Sequence, residues 1–357
     1  MRIKKDPFGN FISFFNSDNG FYFRTGIIER GKDTGKDPFR SEFPELIDIG
    51  IMGSCIHGGF GLCAKSGVQC YQNGLEVKKP NMSVEDFKKI TDECKHKTFQ
   101  FALGGRGDPD THENIEDILK YSRDNDIVPN FTSSGFCFTE SKMDMCKDYI
   151  GAVAISWYRN RYTIKAIENL VSKGITTNIH YVLGNNTIDE ALEILDNSSR
   201  VPSGINAIIF LLHKPVGMGT SENVLSINDP KVREFFSIVD TKKFDFKIGF
   251  DSCSIPGIIN LTNDIDSKSF DTCEGGRFSC YISSDMVMVP CSFDQDLKWG
   301  VSIKDKSIYD VWNKSVEFED FRSQLRNSCP TCSNKELCFG GCPISKEIVL
   351  CNYIDKL

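Results

Sequence analysis

Between residues 46 and 250 the sequence alternates short apolar runs with longer amphipathic runs, and this alternation limits the folds open to the chain. The apolar runs predict strands at 46–52, 98–103, 127–132, 151–156, 175–182, 205–212 and 246–250. Strands joined by helices of ten or more residues pair in parallel through right-handed crossovers. Six or seven strands are too few for a closed eight-stranded barrel, so we expect an α/β fold built on an open or partial barrel.

Three regions are expected along the chain. Residues 1–45 form a lead-in with a hairpin, because aromatic and polar residues alternate around Asp18-Asn19-Gly20. Residues 46–252 form the barrel, and residues 253–357 form a small cysteine-rich domain.

The composition excludes several classes of protein. Of the 357 residues, 42 are basic and 49 acidic, giving a net charge of −7 without a basic run, which argues against nucleic-acid binding. No apolar stretch approaches the roughly 18 residues needed to cross a bilayer, and the N-terminus lacks a signal-peptide pattern. We therefore expect a cytoplasmic protein that does not bind membranes.

Fifteen cysteines in such a chain indicate metal binding, because the cytosol keeps thiols reduced. Cys55, Cys63 and Cys70 lie on one glycine-rich loop directly after the first predicted strand. Three thiolates there suit an iron-sulfur cluster with one iron left for chemistry. The alternative is a zinc site, for which His57 is the nearby candidate for a fourth ligand.

The loops after the other predicted strands are rich in small residues, and in such a fold they share one rim with the cysteine loop. The second strand is followed by Gly104-Gly105-Arg106-Gly107-Asp108-Pro109, where glycines permit close approach of a ligand and Asp108 can accept a hydrogen bond from an ammonium group. Ser156 ends the fourth strand.

These residues resemble the radical S-adenosylmethionine (radical SAM) superfamily. The resemblance covers about residues 46–250 and rests on the three cysteines, the Cys70-Tyr71 pair and the glycine motif. It implies a four-iron cluster on Cys55, Cys63 and Cys70, with S-adenosylmethionine chelating the remaining iron. The fold would then be the partial (β/α)6 barrel of that superfamily.

Two features depart from the usual pattern of the superfamily. The cysteines are separated by seven and six residues instead of three and two, and the motif glutamate is missing. We align Asp108 with that glutamate, as the acceptor for the methionine ammonium. If that alignment is wrong, the backbone around Gly104, Gly105 and Gly107 would accept the hydrogen bonds of the ammonium instead. Ser156 matches the usual position of a ribose contact.

The last third of the chain contains a second set of cysteines with short gaps. The residues are Cys273, Cys291, Cys329, Cys332, Cys338, Cys342 and Cys351. Such spacing in a loop-rich region indicates metal ligands, either in a pair of zinc ribbons or in iron clusters. The pattern resembles the SPASM domain, an auxiliary-cluster extension of radical SAM enzymes, except that Met286 replaces a usual glycine.

That resemblance implies two auxiliary four-iron clusters. One would use Cys329, Cys332, Cys338 and Cys351, and the other Cys273, Cys291 and Cys342. The second set lacks one ligand, which Cys253, Cys280 or the substrate could supply, with Cys253 preferred.

The implied activity is reductive cleavage of S-adenosylmethionine to a 5′-deoxyadenosyl radical that abstracts hydrogen from a substrate. A peptide or protein substrate is expected, with flavodoxin or ferredoxin as electron donor. A small-molecule substrate and a non-catalytic zinc or iron-sulfur binding protein are the alternatives. Asp251 is a weak candidate for a base and fits a turn residue better, and we expect no catalytic role for His180 or Lys214.

Overall fold

The protein is described by a computed structural model over residues 1–57, 61–74 and 76–352. Gly58 and Gly59 of the predicted cysteine loop, and the end of the predicted C-terminal region at 353–357, lie outside the described residues.

The N-terminal lead-in is a small antiparallel sheet. Its strands are β1 (Arg2–Asp6), β2 (Phe11–Phe15) and β3 (Tyr22–Arg24), followed by a ribbon of β4 (Ile28–Glu29) and β5 (Lys32–Asp33). The β2–β3 hairpin pairs Phe15 with Tyr22 around the predicted turn. Phe15 packs against Phe99, and Tyr22 donates a hydrogen bond to Glu45, so the sheet rests on the rest of the molecule.

Seven parallel strands form the body of the molecule, paired in chain order. They are β6 (Leu46–Met52), β7 (Gln100–Gly105), β8 (Val128–Ser133), β9 (Val153–Ser156), β10 (Thr177–Leu183), β11 (Ala207–Leu212) and β12 (Lys247–Phe250). The expected α/β architecture is confirmed, and β6 has the predicted bounds.

Helices connect these strands and cover their outer face. They are α1 (Leu62–Lys65), α2 (Val84–Cys94), α3 (Ile115–Asp124), α4 (Glu140–Tyr149), α5 (Arg161–Ser172), α6 (Ile188–Asp196), α7 (Pro230–Thr241) and α8 (Ile255–Leu261). Ser83 caps α2 as predicted, since its side chain accepts a hydrogen bond from the amide of Asp86.

The two faces of the parallel strands differ in chemistry. On β6, Ile47, Ile49 and Ile51 are fully buried under the helices, and each such burial contributes about 1.5–3 kcal/mol. The alternate positions, such as Asp48 on β6 and His180 on β10, point inward and are partly exposed. The interior of this partial barrel is therefore polar and open, unlike the packed interior of a closed eight-stranded barrel.

The sheet continues into the C-terminal third of the chain. Strand β13 (Ser279–Ile282) pairs in parallel with β6, and β14 (Val287–Val289) and β15 (Val301–Ser302) follow antiparallel. The remaining helices are α9 (Ile308–Lys314), α10 (Val316–Asn327) and α11 (Lys335–Cys338). The boundary expected at residue 253 thus divides the sequence, while one sheet spans both sides of it.

Across the described residues we find no helix that combines the length and the apolar character needed to span a membrane.

Candidate functional site

The first cysteine group, which consists of Cys55, Cys63 and Cys70, lies beyond the carboxyl end of β6. Helix α1 carries Cys63, and a glycine follows the group at position 74. A β-carbon at Gly74 would lie 3.2 Å from Cys55 Cβ and 3.5 Å from Cys70 Sγ. The glycine therefore keeps open the space beside two of the three thiols.

The Cys63 thiol is half-buried and lies close to the other two thiols of this group. Burial is the main cause that raises its pKa to about 11, and the Cys70 and Cys55 thiols add to the shift. The Tyr158 hydroxyl donates a hydrogen bond to Cys63 Sγ at 3.3 Å and opposes it. Without metal this thiol keeps its proton at neutral pH, so iron binding would release that proton.

The three glycines of the motif after β7 have different surroundings. A β-carbon at Gly105 would lie 2.4 Å from Met52 O, and one at Gly107 would lie 2.8 Å from Ser54 O. Both residues have positive φ, so they allow the motif to pack against the backbone that leads to Cys55. A β-carbon at Gly104 would meet nothing within 4 Å. Of the three, only Gly104 borders the open space that a ligand needs.

Asp108 is buried, and protein donors already occupy its carboxylate. Its Oδ1 accepts a hydrogen bond from the amide of Ser134 at 2.9 Å, and its Oδ2 accepts one from His57 Nε2 at 2.7 Å. The Ser134 hydroxyl also donates to Oδ2. The predicted acceptor for the methionine ammonium is thus engaged with two neighbouring loops.

Ser156 ends β9 and stands in register with His180 on β10. His180 Nδ1 lies 3.3 Å from the Thr132 hydroxyl on β8. Burial lowers the pKa of His180 to about 4, so the imidazole is neutral at physiological pH. These residues give the barrel interior hydrogen-bonding groups without a positive charge from His180.

The first auxiliary group brings together Cys253, Cys273, Cys291 and Cys342, which come from four separate segments. All four line one cavity, and the Cys253 and Cys342 side chains are hydrogen-bonded to each other. Burial raises the pKa of Cys273 to about 12, and the Cys253 thiol is the next cause. Burial also raises the pKa of Cys291, and the thiols of Cys273 and Cys253 add to that shift. The set is the one expected with Cys253 as the fourth member.

Cys280, the other protein candidate for that position, also borders this cavity, but it lies among the buried core residues. It pairs with Ile47 across the sheet, is 1% exposed and belongs to the hydrophobic core. Burial raises its pKa well above the usual value, and the next causes are the neighbouring Cys94 and Asp48, with none of the four auxiliary thiols among them.

The second auxiliary group consists of Cys329, Cys332, Cys338 and Cys351. Burial raises the pKa of Cys329, and the thiols of Cys332 and Cys351 add to the effect. The pKa of Cys338 is raised by burial and then by the other three thiols. The four predicted residues therefore meet in the structure.

Asp251 is held by structural contacts. Its carboxylate forms an ion pair with the buried Lys214, accepts the amide of Leu212 at 3.2 Å and accepts the Ser254 hydroxyl at 2.8 Å. The turn role is thus the better interpretation of this residue, because three protein donors already occupy its carboxylate.

A cavity of about 790 Å³ lies between the first auxiliary group and the inward positions of β6. Asp48 lies on its wall, and burial, followed by the charge of Glu274, raises the pKa of Asp48 to about 7. Asp48 was not predicted from the sequence as a site residue, although an acidic residue within an apolar strand was a usable signal. The contacts of Tyr158 and Gly74 could not be predicted from the sequence, because they run between separate loops.

Within the described ranges, no three His, Cys, Asp or Glu side chains are arranged to hold a single metal ion. In a four-iron cluster each thiolate binds a different iron, so its ligands stand further apart than the ligands of one ion.

The family model that matches the chain is SPASM, an iron-sulfur cluster-binding domain, over residues 273–335. Residues 273–335 form a SPASM domain. The resemblance drawn from the C-terminal cysteines is therefore confirmed.

Solved structures extend the comparison to the whole chain. Streptococcus suis SuiB bound to S-adenosylmethionine matches with a TM-score of 0.68 at 16% identity, over 89% of this chain and 78% of SuiB. SuiB bound to the precursor peptide SuiA matches with a TM-score of 0.68 at 15% identity, over 87% of this chain and 75% of SuiB.

Native anSMEcpe with bound AdoMet and the Cp18Cys peptide gives a TM-score of 0.61 at 15% identity, over 88% of this chain and 94% of that one. The chain shares the fold of these radical SAM structures, as the resemblance predicted. Among curated proteins, none matches the sequence.

Proposed function

We propose that the protein is a radical SAM enzyme that modifies a peptide or protein. The observation that carries the proposal is the sorting of eleven cysteines into one group of three and two groups of four. The group of three lies at the carboxyl ends of parallel strands, where ligands of such folds bind. The backbone of Gly104, on the loop after the next strand, borders open space.

The donor set fits a cluster with one iron left for S-adenosylmethionine. Cys55, Cys63 and Cys70 would hold the cluster, and the backbone around Gly104 borders the space for the methionine end. When bound, the cluster supplies the electron that cleaves the sulfonium to the 5′-deoxyadenosyl radical, which abstracts hydrogen from the substrate. One buried atom of the cysteine loop, His57 Nδ1, has no hydrogen-bond partner among the described residues. It offers a further polar contact.

The protein itself would position the substrate and exclude water. Neutral His180 and the Thr132 hydroxyl present hydrogen-bonding groups in the barrel interior. The cavity gives a bound substrate access to the first auxiliary group, and its size is typical of ligand pockets. Cys253 would complete the ligand set of that group, and the second auxiliary group would hold a third cluster.

A peptide is the favoured substrate because, among the similar structures, SuiB is bound to the precursor peptide SuiA and anSMEcpe to the Cp18Cys peptide. The proposal includes flavodoxin or ferredoxin as the electron donor and a cytoplasmic location.

Anaerobic reconstitution tests the function. We expect about 12 irons per chain, formation of 5′-deoxyadenosine from S-adenosylmethionine with a strong reductant, and loss of that product in Cys55→Ala. Cys94→Ala, in which the thiol is removed from the buried core, is the matched control and should retain the product. Two or three zinc ions with no iron would overturn the proposal.

A further inference from the structure

The first cysteine loop needs a fixing point outside itself. Seven and six residues separate its cysteines, and a longer segment loses more conformational entropy when its thiols are held together. Helix α1 has only four residues and buries no side chain, so it contributes little packing.

The structure supplies that fixing point at Asp108, to which His57, two residues after Cys55, is hydrogen-bonded. The His57 side chain is 3% exposed, and its Nε2 donates to Asp108 Oδ2 at 2.7 Å. The ring also contacts Phe136 edge-on, with 5.1 Å between the ring centroids. His57 is thereby held between the loop after β7 and the loop after β8.

Asp108 is shaped for this contact. Its side chain is 12% exposed, and its carboxylate accepts hydrogen bonds from His57 Nε2, from the Ser134 amide and from the Ser134 hydroxyl. Carboxylates form strong charge-assisted hydrogen bonds, and three of them use most of the acceptor capacity of one group. A second link between the motif and the cysteine segment runs from Arg106 Nε to Gln72 O at 3.0 Å.

We propose that His57, Asp108 and Ser134 form a clamp that positions the first cysteine loop, with Asp108 as its anchor and not as the acceptor of the methionine ammonium. The ammonium would then be bound by backbone near Gly104. The inference deepens the proposed function and rests on it for the role of S-adenosylmethionine. The clamp itself is a property of the protein.

Hydrogen exchange of the reconstituted protein, without S-adenosylmethionine, tests the clamp directly. His57→Leu removes the donor, and we expect amides in residues 61–74 to exchange about tenfold faster, as for the loss of one hydrogen bond to a charged group. Peptides from α2 should not change. His57→Gln, whose amide can still donate, should restore part of the protection. His96→Leu, at an exposed histidine, is the matched control.

A double-mutant comparison tests the coupling. Asp108→Asn should raise the amide exchange rates of residues 61–74 as much as His57→Leu does. The double variant should exchange little faster than either single variant, because both changes break the same contact. Unchanged exchange in residues 61–74 of His57→Leu would overturn the clamp even if the enzyme proposal stands.

Ligand affinity tests the second half of the inference. Dissociation constants are measured on the oxidised protein for S-adenosylmethionine and for an analogue that lacks the amino group. If Asp108 only anchors the loop, Asp108→Asn weakens both ligands by the same factor. If it bound the ammonium, the analogue would bind wild type and Asp108→Asn equally. A wild-type protein that binds neither ligand would refute the proposed function, while the exchange result would still decide the clamp.

Discussion

The first cysteine group and the first auxiliary group use the same side chain in opposite ways. The three thiols of the former fall between residues 55 and 70 on one loop, whereas the four of the latter come from segments between residues 253 and 342. The local group depends on neighbouring loops for its position. The dispersed group joins distant segments, and a link that closes a long segment limits the unfolded chain more. Loss of a thiol should therefore affect chemistry in the first case and stability in the second.

The largest effect is expected at Cys63. In Cys63→Ala, reductive cleavage of S-adenosylmethionine should fall to background, because one cluster ligand is lost, and about four irons per chain should be missing. Thermal unfolding should change little, since no buried side chain lies on α1. Iron analysis and 5′-deoxyadenosine assays check this, and retained activity would remove Cys63 from the ligand set.

The next effect concerns the dispersed group. If the cluster acts as a crosslink, Cys291→Ala should lower the free energy of unfolding by about 4 kcal/mol, as expected for a closed segment of roughly 90 residues. Cys338→Ala, in the group spanning residues 329–351, should lower the free energy of unfolding by about 1 kcal/mol less than Cys291→Ala does. Anaerobic denaturant titration measures both. Cys280→Ala should leave the iron content unchanged, and equal stability losses in the first two variants would contradict the comparison.

Asp48 is expected to make the free energy of unfolding depend on pH. Its pKa of about 7 exceeds the usual 3.8, so the folded protein holds a proton that the unfolded chain releases. The resulting stability is complete below about pH 4 and is lost as pH rises through 7. Asp48→Asn should remove this dependence and be more stable at pH 8 by on the order of 2 kcal/mol, since the side chain is partly exposed to the cavity.

Urea titrations at pH 5.5 and pH 8 measure that difference, with Asp144→Asn at an exposed carboxylate as the control. An unchanged pH dependence in Asp48→Asn would show that other groups cause it.

The smallest effect is expected at Tyr158. Tyr158→Phe removes the hydrogen bond to Cys63 Sγ, which stabilises negative charge on the cluster. The reduction potential of the first cluster should fall by on the order of 40 mV, the equivalent of one ordinary hydrogen bond. Redox titration followed by electron paramagnetic resonance measures it. Tyr121→Phe, which loses an exposed hydrogen bond to Asp92, should leave the potential unchanged.

Much of the barrel could be predicted because local patterns determine it. The run Leu46–Met52 is apolar apart from Asp48 and Gly50, as a largely buried strand requires, and Ser83 matches an N-cap. The extension of the sheet by β13 could not be predicted in the same way. A four-residue strand carries no sign of its partner, and β6 lies more than two hundred residues earlier.

The site was predictable in its residue types but not in its contacts. Spacing identified the cysteines, yet it could not choose between Cys253 and Cys280, because only the fold shows that Cys280 faces the core. Asp108 was found for its charge, while its engagement with His57 and Ser134 depends on three loops that are distant in sequence.

The pairing of β6 with β13 has a consequence for synthesis on the ribosome. One edge of β6 stays without its partner while residues 53–278 are made, which takes on the order of 10 to 50 seconds at ordinary translation rates. An uncovered strand edge is a template for aggregation. We therefore expect nascent chains that end before residue 279 to require chaperones, and C-terminally truncated versions of the barrel to be recovered mainly as inclusion bodies.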